Sequence, residues 1–479
     1  MTPVLVPQPT RMVARGKGFP LTAETAIRPG PGAEGAARML RSLLRPATGL
    51  PLPSTKDGRI VLTLDERMVG LGAEGYALTV TEHGVLLRAG TSAGLMHGVQ
   101  TIRQLLPAQV YRSSRASGVD WVLPGVDVRD VPRLPWRGLM LDVARHFQPV
   151  HVLRRFVDLM AVHKLNVLHL HLTDDQGWRL PVPGYPLLTE VGGWRAETNG
   201  DGVPHGGSYT RTELENLVAF AADRGVRIVP EIEMPGHARA AIAAYPELGD
   251  GRVEPVWTTW GISDSAFTPD AVKFCQDVLA EVMEIFPGSH VHIGGDECPM
   301  PEDDRSRFLQ QAAQFLLDNG RTPVAWEPTG DPRSVVMPWR DEDQAAEALR
   351  RGQDVVMTLH TSTYLDYPQS ASPDEPPGQP GFVVTAEDVY HVPLPEGVLG
   401  AQCQLWTEHV RTREHLEQMA FPRLAALADT LWTAEPSWEG FVTRMRPHNA
   451  RLAELALRPL QTREEFDSRS TPAVPRRDS

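Results

Sequence analysis

The stretch TRTELENLVAFAADRGVRIVPEI, residues 210–232, decides the fold. It opens with a capping box, Thr210 and Glu213, ahead of apolar residues spaced for one helical face, which predicts a helix over 211–224. Gly225 follows, where a helix end favours a residue free to turn left-handed. The next run, 226–232, lacks polar–apolar alternation and is apolar on both faces. That is how a parallel strand buried beneath helices reads. Helix, glycine and buried strand make one unit of an α/β fold.

The unit recurs on both sides. Strands are predicted over 137–143, 166–173, 226–232, 290–294, 322–326, 335–339, 354–360 and 398–406. Helices are predicted over 150–163, 211–224, 269–286, 305–318 and 341–351, with Thr268 as an N-cap before Pro269. Gly320 and Gly352 repeat the role of Gly225. Eight strands with helical crossovers in about 300 residues predict a (β/α)8 barrel, over 134–465. An open doubly wound sheet is the competitor, but no GxGxxG or Walker loop follows any strand. Residues 1–133 read as a small α+β domain preceding the barrel. It has a helix over 35–44, strands over 60–64 and 76–88, and a helix over 92–106 capped by Ser92. The second strand is split at His83–Gly84, where glycine tolerates positive φ. Residues 466–479 read as a frayed tail.

Composition removes several function classes. Sixty acidic against 47 basic residues leave a net charge of −13, which argues against nucleic acid or an anionic membrane as the main partner. No apolar run approaches the roughly 18 residues that cross a bilayer. Cys275, Cys298 and Cys403 make neither a disulfide framework nor a CxxC metal site. The N-terminal MTPVLVPQPTRMVARGKG has prolines and charges where a secretory apolar core would stand. A cytoplasmic protein is therefore expected, or a secreted one if a leader was removed. Oligomeric state leaves no signature.

Barrel chemistry collects at the carboxyl ends of the strands. Those ends carry Arg145 and His146, Asp174 and Asp175, Glu231, Glu233 and His237, Asp296 and Glu297, Trp326, Trp339, Tyr364 and Asp366, Trp406 and Glu408. Carboxylates with tryptophans fit a sugar, whose C–H faces lie on indoles while acids handle hydroxyls and the glycosidic oxygen. The sharpest feature is HIGGDE, 292–297. Two glycines let the backbone bend, so consecutive carboxyls need not point to opposite faces. Adjacent carboxyls are badly placed to straddle a sugar ring at the usual ≈ 5–5.5 Å of a retaining pair. They suit two neighbouring points on one side: the leaving oxygen and a substituent at C2. Taken alone, an Asp-Glu pair more often marks a solvated loop. His169 and His171 form an HxH that metal-dependent barrel hydrolases also use, which keeps an amidohydrolase in contention. The plainer reading makes these histidines hydrogen-bonded core residues below the site. Glu231 and Asp142 read as structural partners, and Cys298 as packing.

The segments WRGLMLDVARHF (136–147), KLNVLHLHLTDDQGWRL (164–180), VPEIEMPGH (229–237) and HIGGDE resemble the family-20 glycoside hydrolases, the β-N-acetylhexosaminidases. VAWE (324–327), TYLD (363–366) and QLWTE (404–408) follow in the same order. The resemblance covers the whole barrel, and the first 130 residues are similar to the small domain that precedes it in many members. It implies an exo-acting, retaining enzyme in which the substrate's own acetamido oxygen is the nucleophile. Glu297 would be the acid/base, Asp296 would take the acetamido N–H, and Tyr364 would donate to the acetamido oxygen. Trp326, Trp339 and Trp406 would box the acetamido methyl and the ring. Arg145, Asp366 and Glu408 would hold ring hydroxyls, with Asp174 and His237 supporting the acid/base. It implies an amino-sugar glycoside or oligosaccharide as substrate and neither cofactor nor metal. The same residues would also suit a disaccharide-releasing member of the family or a carbohydrate-binding pseudoenzyme. Two departures stand out: Glu233 where the family commonly has aspartate, and an acidic, proline-rich loop SASPDEPPGQP (370–380) where many relatives carry a further tryptophan.

Overall fold

The computed structural model describes residues 3–457. Eight parallel strands close into a barrel, in chain order Trp136–Asp142, Val167–His171, Arg227–Glu231, His290–His292, Thr322–Ala325, Val335–Val336, Asp354–Met357 and Gly400–Leu405. The eighth closes on the first in register from Gly400↔Trp136 to Leu405↔Leu141. Glycine is forced at this seam, because a Cβ on Gly400 would sit 1.8 Å from the Trp136 carbonyl oxygen. Every residue of the first, second and eighth strands is buried, as expected where helices cover the outside and side chains fill the inside.

The barrel interior is a small core of Trp136, Val167, Val229, Val324, Trp326, Val335, Met337 and Val356. A larger core lies between the strands and the helices, which include Val150–Val162, Arg211–Ala222, Val272–Ile285, Glu302–Asp318 and Glu342–Arg350. Thr210 and Glu213 form the expected capping box, and Gly225, Gly320 and Gly352 take φ of +73°, +71° and +74°.

Several local expectations need correction. The sixth strand stops at Val336, well short of Trp339, since Pro338 has no N–H for the ladder. The seventh stops at Met357, and His360–Thr363 instead forms a helical turn that delivers Tyr364. Thr268 makes no side-chain cap; Pro269 opens a short 3-10 turn before the helix. Thr91, not Ser92, caps helix Ser92–Leu105. The earlier helix runs over Glu34–Thr48. The hairpin pairs Thr81 with Gly84, but Gly84 lies outside the left-handed region; a Cβ there would meet the Arg59 carbonyl oxygen at 2.7 Å. Its glycine answers a close approach rather than a turn conformation.

The N-terminal domain is a six-stranded mixed sheet, ordered Arg11–Ala14, Val126–Asp130, Tyr76–Thr81, Gly84–Ala89, Ile60–Leu64, Ile27–Pro29. Charged groups join it to the barrel. Arg137 donates to Glu74 at 2.6 Å, and buried Lys164 donates to Asp130 at 2.7 Å. The expected tail at 466–479 lies outside the described residues. No described helix is long and apolar enough to cross a membrane.

Candidate active site

After the fourth barrel strand the chain turns sharply. Gly294, Gly295 and Glu297 all have positive φ, at +64°, +107° and +45°. Neighbours require both glycines: a Cβ on Gly294 would overlap the Glu233 carboxyl, and one on Gly295 would meet Leu309 at 3.0 Å. The turn brings Asp296 and Glu297 out together, Asp296 buried and the Glu297 side chain 31% exposed. A non-glycine residue held at positive φ costs free energy and marks a segment that its surroundings over-determine.

Glu297 is backed by a chain of charged contacts. His237 Nε2 lies 3.7 Å from its carboxyl, and His237 Nδ1 donates to Asp174 at 3.1 Å. Asp174 also accepts from Arg145 at 2.8 Å and from His171 at 2.7 Å. Burial opposes the charge on Asp174, yet Arg145, His237 and His171 hold its carboxyl far below the usual range. Burial likewise opposes an imidazolium at His237, but Asp174 first and then Glu297 hold it well above the ordinary histidine value. Its neighbours thus favour the imidazolium form behind Glu297. Asp296 is pushed up to about 7 by burial, with further upward pressure from Glu297, Glu231 and Glu327 against the pull of His237.

Aromatic rings surround the two carboxyls. Trp406 lies 6.0 Å from both Trp326 and Tyr364, centroid to centroid, and the Arg145 guanidinium sits 5.0 Å over its face. Trp339 joins through His360, 6.3 Å from Trp339 and 6.1 Å from Tyr364. Trp326 is floor rather than wall: it is 1% exposed and donates from Nε1 to Glu233 at 3.1 Å. Burial and the nearby Asp296 and Asp366 raise the Tyr364 hydroxyl well above its usual range, so it stays a donor. Glu408 lies 3.9 Å from Arg145, and burial plus Glu408 raise Asp366. Asp366 Oδ1 and Trp339 Nε1 are buried without a partner among the described residues, open to a bound hydroxyl or carbonyl. The eleven site residues expected from the sequence thereby gather at the carboxyl ends of the barrel strands, although each strand ends one to three residues earlier than expected.

Beneath it lies a core of buried ionisable groups. Glu231 meets His171 at 2.5 Å, His292 at 2.8 Å and His169 at 3.1 Å, the structural part expected of it. Gln402 donates to His169 Nδ1 at 3.0 Å. Asp142 accepts from the backbone N–H groups of Ala144, Arg145 and Thr407, bracing the loops after the first and eighth strands. Potential ligand atoms of His169, Glu231 and His292 lie within 4.8 Å of one another, a spacing that would also admit an ion.

Comparison with known families matches nearly the whole chain. The catalytic-domain description of glycosyl hydrolase family 20 matches residues 134–306 and 300–435, and its domain 2 matches residues 2–131. The chain belongs to glycosyl hydrolase family 20. It is 36% identical over 452 residues to a β-hexosaminidase of Porphyromonas gingivalis, covering 85% of this chain but 58% of that protein. The family-20 β-N-acetylhexosaminidase of Streptomyces coelicolor superposes with a TM-score of 0.89 at 35% identity, over 96% of this chain and 98% of that one. A mutant Streptomyces plicatus β-hexosaminidase in complex with its product GlcNAc superposes with a TM-score of 0.88 at 34% identity, over 96% and 97%.

This family-20 glycoside hydrolase has further residues at its site that sequence reasoning missed. A cavity of about 510 Å3 opens beyond Glu297, lined by Ile262, Cys298, Met300, Arg305, Glu327 and Arg340 among others. Cys298 accepts there from the Met300 N–H at 3.4 Å, a packing role as expected. Arg305 and Arg340 both bond Glu327. Phe382, from the loop that follows 370–380, packs on His360 at 5.1 Å and stands 48% exposed at the rim. Ion pairs between loops carry no local pattern. Only VAWE, which includes Glu327, gave any signal.

Proposed function

We propose that the chain is an exo-acting β-N-acetylhexosaminidase that removes terminal, non-reducing, β-linked GlcNAc or GalNAc with retention. One observation carries this reading: Asp296 and Glu297 leave a single glycine turn side by side, with His237 and Asp174 behind Glu297. Two carboxyls so arranged serve one side of a sugar. The attacking atom on the far side is then the substrate's own acetamido oxygen.

The proposed steps follow from charge. Glu297 protonates the glycosidic oxygen as the acetamido carbonyl oxygen closes on C1 and the C1–O bond breaks. Asp296 accepts the acetamido N–H and faces the positive charge that develops on the resulting oxazolinium ring. That charge favours the ionised form of a carboxyl otherwise poised near 7. Tyr364 donates to the acetamido oxygen, and Trp339 and Trp406 shelter the methyl group from water. Glu297, now a carboxylate, takes a proton from water, which opens the ring at C1. Two displacements return the β-configuration. Arg145, Asp366 and Glu408 bind hydroxyls of the terminal sugar, the feature that makes the enzyme exo-acting.

Release of p-nitrophenol from the β-N-acetylglucosaminide, beside the β-glucoside and with and without EDTA, tests the reading. Hydrolysis of the acetamido sugar alone, unmoved by chelator, is expected. Equal hydrolysis of the glucoside would overturn substrate assistance, and loss of activity to EDTA would move His169, Glu231 and His292 to the centre.

A further inference from the structure

Arg305 touches none of the groups assigned a chemical role, yet it links three loops around them. It lies in the first turn of helix Glu302–Asp318, with its side chain 14% exposed. Its Nη1 donates to the Gly295 carbonyl at 3.0 Å and to Glu327 Oε2 at 2.5 Å, and Nη2 donates to Glu302 at 2.6 Å. Glu327, just beyond the fifth strand, is bonded from its other side by Arg340, beyond the sixth. The Arg340 guanidinium in turn lies 4.5 Å over the Trp339 ring. Leu309, one helical turn after Arg305, packs where a side chain on Gly295 would stand.

We infer that Arg305 is a positioning residue for the reaction: it pins the Asp296–Glu297 turn through the Gly295 carbonyl and neutralises Glu327 beside it. This rests on the proposed hydrolase chemistry. The last ladder bond of the fourth strand is the Gly294 carbonyl accepting from the Trp326 N–H at 3.0 Å; Gly295 and Glu297, at positive φ, lie beyond it, so the Gly295 carbonyl ahead of the carboxyls is the natural anchor. A planar, forked guanidinium fixes a carbonyl and two carboxylates in one geometry, where an ammonium on a flexible stem supplies the charge with less directional constraint. The groups facing Asp296 and Glu297 are His237 and Glu233 from the third loop, Glu231 from the third strand, Glu327, Arg340 and Tyr364. Among them Glu327 is a bare carboxylate unless Arg305 and Arg340 cover it.

The test uses the full chain and a β-N-acetylglucosaminide with a poor leaving group. Arg305→Met is expected to lower kcat about 10–100-fold with KM within about 3-fold, because binding groups stay while the acid moves. The acidic limb of its kcat profile should move to higher pH, since an uncovered Glu327 makes Asp296 harder to ionise. Arg305→Lys should restore the pH limb but less of kcat. Adding Glu327→Gln to Arg305→Met should return the limb while kcat stays low. A merely structural role would not move the limb in this pattern. Wild-type kcat and pH profile in Arg305→Met would overturn the inference. If Arg305→Met fails to fold, Glu327→Gln alone decides: a limb moved to lower pH supports the inference and an unmoved one overturns it. An inert parent enzyme would overturn the hydrolase reading and this one with it, whereas an active parent matched by an equally active variant overturns this one alone.

Discussion

His237 and Glu297 face each other across 3.7 Å, and both are held at positive φ, +50° and +45°. Neither is a glycine, so two side chains from different loops are each fixed in a conformation the chain avoids when free. The pair is held from behind by Asp174, which takes its bond from His237 Nδ1.

Asp174→Asn tests that support. Burial opposes the imidazolium, and Asp174 is the first of the groups that outweigh it, so losing its charge lets His237 deprotonate at lower pH. The basic limb of kcat/KM should move down in pH, and the maximal rate should fall by about 10²-fold as the acid loses its neighbour. A pH–rate profile reads both. An unmoved basic limb would show that His237 does not act through its charge.

The two consecutive carboxyls should fail differently. Glu297→Gln removes the proton donor, so hydrolysis of substrates with poor leaving groups should drop by about 10²–10⁴-fold, and p-nitrophenyl substrates should suffer less. Asp296→Asn weakens the acetamido-assisted step and should harm all substrates alike. Steady-state kinetics on a leaving-group series separates them. Turnover left intact by Asp296→Asn would sink the division of labour.

What the sequence disclosed, and what it hid, follows from locality. The capping box at Thr210, the glycines at 225, 320 and 352, and the runs apolar on both faces are short-range signals, and the barrel followed from them. Strand ends were less legible because they depend on pairing: Pro338 stops one ladder, and the turn His360–Thr363 replaces the end of another. Gly84 was misread because its glycine answers Arg59, which is distant in sequence. The site residues stood out as polar groups past apolar strands, but the buried depth of Trp326 and the Arg305–Glu327–Arg340 cluster arise only from packing between loops.

Glu233 offers a pH-dependent test of the floor. Burial, with Glu231 and Asp296 nearby, holds its carboxyl well above the usual range, so the folded protein keeps it protonated. Such a group contributes its full stability below the unfolded value of 4.5, and that contribution is lost as pH rises. Glu233→Gln keeps an oxygen to accept from Trp326 and carries no proton to lose. The melting temperature of the variant relative to the parent should therefore climb steadily from pH 5 to pH 9. A difference constant across that range would mean Glu233 is ionised in the fold.

The joint between the domains should be worth more than its surface ion pairs. Lys164 is 1% exposed at its side chain, donates to Asp130 at 2.7 Å and to the Tyr76 hydroxyl at 2.9 Å, and lies 4.6 Å over the Trp432 ring. Asp130 also accepts from Tyr76 and from Trp432 Nε1, so one carboxylate serves the sheet, the loop before the second barrel strand and the helix Arg423–Trp432 that follows the eighth. Asp130→Asn leaves a buried ammonium without its counter-charge, an expected loss of about 3–5 kcal/mol in denaturant unfolding. Lys164→Met in the same background removes the orphaned charge and should recover most of that loss. Recovery would assign the cost to the unpaired charge; a double variant as unstable as Asp130→Asn alone would assign it to the hydrogen bonds of Asp130 with Tyr76 and Trp432.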